Sequence, residues 1–133
     1  MSIKQMIKVK TAANTILVIL FCVLVFHLLV LVGFIPFDTV WGGRLETQSQ
    51  MYVFETVSII INTIIMLVVS MKAGYIKAYL HMKIINTILW FLVVLFTLNT
   101  AGNILAMSWL ETLIFTPLTL ISAFLFYRMA IEK

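Results

Sequence analysis

The residues of this chain that could carry chemistry are His27, Asp38, the run Val40-Trp41-Gly42-Gly43-Arg44-Leu45, Glu46, Glu55 and Glu111. Arg44 offers a planar fork that grips a carboxylate or phosphate in two places, and the two glycines beside it permit tight backbone geometry. Gly-Gly is also an ordinary turn, so two readings stand. Arg44 either pins a turn through an ion pair to Asp38, Glu46 or Glu55, or it contacts a ligand. Glu55, Ser58 and Asn62 recur at i, i+3, i+7, which puts them on one helical face. A carboxylate at membrane depth is costly and faces a bundle interior or a water-filled cavity, unless it snorkels out from near a helix end. His27 falls a little outward of the middle of its apolar segment, where a neutral imidazole needs a partner on another helix. Within direct or one-water reach of each other, His27 and Glu55 could relay a proton.

Other polar positions carry weaker signals. Asn86, Trp90, Val93 and Thr97 share one helical face, and the Trp90 indole N–H, placed near mid-membrane, must find an acceptor inside protein. Thr112, Thr116, Thr119 and Ala123 form a small, weakly polar stripe suited to close helix packing. Pro117 interrupts it, removing one backbone donor and freeing a carbonyl near Leu113. Cys22 is the only cysteine. That excludes an internal disulfide, a CxxC pair and a multi-thiolate metal site. No metal or cofactor is expected, and the favoured ligand contacts are Trp41, Arg44, Glu55, His27, Asn62 and Trp90.

The elements that must position these residues follow from composition. Over 133 residues, 63% are hydrophobic and 11% charged, with a mean hydropathy of +1.15, against about 25% charged in soluble domains. At about 20 apolar residues per bilayer crossing, the chain accommodates about four helices. The pattern predicts an all-α polytopic membrane protein, a single domain built as an antiparallel four-helix bundle with short loops. The expected spans are about 13–35, 52–71, 79–98 and 104–127, the last beginning between Ile104 and Trp109. If it begins at Ile104, Glu111 lies two turns deep; if at Trp109, Glu111 is exposed. Lys4, Lys8, Lys10, Lys72, Lys77, Lys83, Arg128 and Lys133 fall at the termini and the second connection, leaving Arg44 alone on the other side. By the positive-inside rule both termini are expected to be cytoplasmic, in a plasma or inner membrane. Trp41, Tyr52 and Trp109 would mark the outer interface, and Tyr75, Tyr79 and Tyr127 the inner one. The net charge of +4 is then topological and points to no nucleic acid.

Small multidrug transporters carry a carboxylate in the first span, which has no acid here, and quinone-linked thiol oxidoreductases need paired cysteines. In layout the chain resembles the EXPERA group of sterol-isomerase and sigma-2-like proteins: a polar residue late in span one, an acid soon after, Phe54-Glu55 at the start of span two and Pro117 in span four. The resemblance covers most of the chain without a specific shared motif, and the long connection common in that group is short here. It implies that Asp38 and Glu55 are the acids of interest. Polarity concentrated in the outer half, above a nearly plain hydrocarbon inner half, predicts an outward-facing pocket that binds, and could translocate, a small amphipathic or lipid-like ligand. The alternatives are an accessory subunit packing against another membrane protein and an intramembrane acid/base enzyme using His27 and Glu55. Membrane lipids, a second copy of the chain or a membrane-protein partner are the expected partners.

Overall fold

The computed structural model describes residues 1–106 and 108–133. A short N-terminal helix, α1 (Ile3–Met6), leads into α2 (Val9–Leu31). Two 3-10 turns follow, Phe37–Thr39 and Trp41–Gly43, and then the long helices α3 (Gln48–Ala73) and α4 (Met82–Ile104). A π-helical turn, Glu111–Phe115, opens the last span and runs into α5 (Thr116–Ala130). Four helices are long and apolar enough to cross a membrane: Val9–Leu31, Gln48–Ala73, Met82–Ile104 and Glu111–Ala130. The protein is an all-α membrane bundle, with no strand among the described residues.

Local chemistry sets the helix ends, and these differ from the hydropathy limits. The Thr47 side chain accepts from the Gln50 N–H at 3.2 Å, and the Gln50 side chain accepts in return from the Glu46 and Thr47 N–H groups. This reciprocal cap starts α3 four residues before the apolar run does. Gly74 ends it at φ 80°, the left-handed conformation that glycine adopts without a Cβ penalty. The His81 side chain caps α4 by accepting from the Lys83 N–H. At its other end α4 runs to Ile104 rather than stopping near Leu98, so Asn99 and Asn103 are helical.

Helix α2 packs along α3 and α5, and α5 along α4, whereas α3 and α4 barely touch although they are consecutive. The four helices therefore form an incomplete ring with a gap between α3 and α4. The main core, including Ile16, Leu20, Val69, Leu89, Phe126 and Met129, fills the half of the bundle nearer the termini. A smaller cluster of Val30, Val40, Leu45 and Met51 seats the α2–α3 connection at the other end.

Where α3 and α4 do meet, the contact includes a polar link. Lys72 is buried and its Nζ donates to Asn86 Oδ1 at 2.6 Å and to the Glu132 backbone carbonyl. Arg128, also buried, donates to the Ile7 carbonyl and pairs with the Glu132 carboxylate at 3.0 Å. Two of the cations that mark this end of the molecule thus join four segments of chain instead of facing solvent.

Candidate functional site

The penultimate turn of α2 presents His27, and the second turn of α3 presents Glu55, which is fully buried. His27 Nδ1 lies 2.6 Å from Glu55 Oε2. The other carboxylate oxygen accepts from the Trp41 indole N–H at 2.7 Å. Each oxygen of the buried acid therefore has its own partner, one from α2 and one from the α2–α3 connection.

The connection reaches this position through unusual backbone. Trp41, Gly42 and Gly43 have φ of 55°, 67° and 71°. Left-handed backbone costs roughly 1–2 kcal/mol for a residue with a Cβ, which accounts for the two glycines; at Trp41 the indole bond to a buried carboxylate offsets that strain. The geometry turns the Gly42 N–H inward, where it donates to both oxygens of Glu111 at 2.9 and 2.8 Å. Ser108 adds a bond from its hydroxyl to the Thr39 carbonyl. The Trp41–Gly43 turn is thus fastened to α3 through Glu55 and to the start of the last span through Glu111.

Glu111 is aimed by the π-helical turn. Pro117 cannot donate to the Leu113 carbonyl, and the backbone takes the wider registry over Glu111–Phe115, with the Thr116 N–H bonded to the Glu111 carbonyl. The burial of Glu111 follows neither from a deep nor from a shallow start of the span. The span begins late, yet Glu111 is only 8% exposed, because the turn from the first connection lies over it. Helix depth alone could not reveal a covering loop.

Beneath the turn lies a cavity of about 650 Å³ between α2, α3, α4 and the last span, within the roughly 300–1,000 Å³ of ordinary ligand sites. Leu20, Val23, Phe26, Ile65, Phe96 and Phe115 supply apolar wall, while His27, Arg44, Asn62, Asn99, Asn103 and Glu111 add polar groups. Asn62 donates to the Leu20 carbonyl at 3.0 Å, and Asn103 to Thr119 Oγ1 at 3.3 Å. Ile61 and Leu98 line it too and remain 48% and 63% exposed. They belong to α3 and α4, so the cavity adjoins the gap between those helices.

Of the residues singled out in the sequence, His27, Trp41 and Glu55 form one network, and Asn62 lines the cavity below it. Glu55 itself does not reach the cavity, being sealed behind its partners. Arg44 lines the cavity mouth but pairs with none of Asp38, Glu46 or Glu55; the ion pairs among the described residues involve only His27–Glu55 and Arg128–Glu132. Asp38, one of the two acids that the EXPERA layout implies, is exposed on its turn. Trp41, 37% exposed, turns its indole N–H inward to Glu55. Trp90 lies apart from the others: it is 44% exposed, packs edge-on against Tyr127 at 5.6 Å and lines no part of the cavity. Helix α4 faces inward through Leu89, Leu92 and Phe96, and Trp90 lies one residue, about 100°, off that stripe. Asn99 and Asn103 are the cavity residues that sequence reasoning placed in a connection, although their i, i+4 spacing is a helical signal.

No group of three or more metal-binding side chains is present among the described residues. The chain matches no protein-family model, no curated protein and no solved structure.

Proposed function

We propose that this protein binds a small amphipathic, lipid-like molecule in the cavity beneath the Trp41–Gly43 turn. The observation that carries this reading is the cavity itself: largely apolar walls, polar groups gathered at the turn end, and a helix gap on the side that faces lipid. Apolar chains could enter through that gap without crossing water, which is the access a lipid-like ligand requires. With the expected orientation the turn lies at the outer side. The tight core near the termini supports binding from that side, and translocation would need this core to open.

Native mass spectrometry of the detergent-purified protein tests the proposal. The wild type should carry an amphiphile, and Asn99→Trp, which places a large ring at a partly open cavity position, should lose it. Trp90→Ala, outside the cavity, should retain it. The same bound species in all three proteins would defeat the proposal.

The 2.6 Å contact between His27 and Glu55 favours a second reading, an intramembrane acid/base enzyme. A carboxylate that orients an imidazole beside a cavity resembles the arrangement of a general base. In that case the wild type would convert its bound amphiphile, and His27→Gln would bind it unchanged. An amphiphile recovered intact from the wild type after prolonged incubation would count against the enzyme.

A further inference from the structure

Two charged groups at the turn end of the cavity have unused capacity. Arg44, an exposed residue, lines the cavity mouth without a carboxylate partner among the described residues. Glu111 lines the same cavity at 8% exposure, and among the described residues both its oxygens share a single donor, the Gly42 N–H. A carboxylate offers about four acceptor positions, so a buried one with a single donor can take further hydrogen bonds. The two groups flank one residue. Glu111 holds the Gly42 nitrogen, and a Cβ built on Gly42 would meet Arg44 Nε at 3.5 Å. They are nevertheless too far apart to form an ion pair. The neighbouring acid does not compete for Arg44 or for a ligand, since Glu55 is sealed with each oxygen engaged.

We infer, resting on the lipid-binding reading above, that the ligand's headgroup is zwitterionic with a primary ammonium: its anionic group pairs with Arg44 and its ammonium donates to Glu111. A purely anionic headgroup would satisfy Arg44 while facing the Glu111 carboxylate, and a purely cationic one would face Arg44. A headgroup carrying both charges meets both groups, and the burial of Glu111 sharpens the discrimination at its end. The ammonium must keep its N–H groups, because Glu111 needs donors as well as charge. The hydrocarbon chain lies along Phe96 and Ile65 toward the α3–α4 gap.

The test is competition on the delipidated wild-type protein among phosphatidylethanolamine, phosphatidylcholine and phosphatidylglycerol with identical acyl chains, read by native mass spectrometry. Phosphatidylethanolamine should be retained roughly tenfold over the other two, the scale of a charge-assisted hydrogen bond. Glu111→Gln keeps an acceptor for the Gly42 N–H and should abolish the preference over phosphatidylcholine. Arg44→Gln should erase the advantage of phosphatidylethanolamine over a long-chain primary amine. Equal retention of the three lipids by the wild type would overturn the headgroup assignment. If Asn99→Trp still displaced all three, the cavity reading would survive that result; retention of none, or no effect of Asn99→Trp, would sink both.

Discussion

Glu55 has each oxygen held by a different element, so its neighbours should be sensitive to the loss of one donor. Trp41→Phe keeps an aromatic ring against Phe54, which lies 5.2 Å away in the wild type. It removes the N–H that reaches Glu55 Oε1. Stripping a donor from a fully buried carboxylate costs on the order of 1–3 kcal/mol, and Trp41 no longer has compensation for its left-handed backbone. Arg44→Gln removes a charge with no ion-pair partner and should leave stability unchanged. Thermal melting in detergent should therefore drop for Trp41→Phe and not for Arg44→Gln; equal melting would mean that the indole bond contributes nothing. Part of this was legible beforehand. The spacing of Glu55, Ser58 and Asn62 identified an inward face, and His27 within an apolar helix required a partner. That Arg44 lacks an ion-pair partner was not legible, because nothing in Trp41-Gly42-Gly43-Arg44 reveals that Trp41 itself takes a positive φ. That choice sends the indole and the Gly42 N–H to the two acids and leaves the guanidinium at the mouth.

At the scale of elements, hydropathy found the four helices but not how they pack. Short connections imply tight hairpins, and α3–α4 has a short connection, yet a connection constrains two helices only at the end where it joins them. Here that end is held by Lys72 bridging Asn86 of α4 and the Glu132 carbonyl, and beyond it the helices part to border the cavity. The charge pattern marked Lys72 only as a topological cation. Buried, it predicts something more: Lys72→Leu leaves the Asn86 side chain and a backbone carbonyl without their donor, a loss of about 1–3 kcal/mol. Lys77→Leu, in the exposed connection, should not alter melting. Hydrogen exchange should locate the Lys72→Leu effect at the C-terminal residues and the first turns of α4. An unchanged exchange pattern there would mean that the α3–α4 junction is held by packing instead.

For the whole molecule, the expected orientation of the bundle follows from how charge is divided between its ends. Lys4, Lys8, Lys10, Lys72, Lys77, Lys83, Arg128 and Lys133 all lie at the end that holds both termini, while Arg44 lies at the other. Lys72 and Arg128 are buried in the folded bundle, but orientation is set during insertion, when short flanking segments are sorted by their Lys and Arg content before helices pack. The bias therefore still counts both, and the end with the termini is expected to be cytoplasmic. Ser49 and Ala78 are exposed at opposite ends, which makes them suitable reporters once the exposed Cys22 is removed. In a Cys22→Ala background, Ser49→Cys should react with an impermeant thiol reagent on intact cells, and Ala78→Cys should react only after the membrane is opened. The reverse pattern would place the Trp41–Gly43 turn and the cavity mouth toward the cytoplasm. The binding geometry would stand, but the ligand would have to come from the inner leaflet, so the labelling decides which leaflet supplies the cavity.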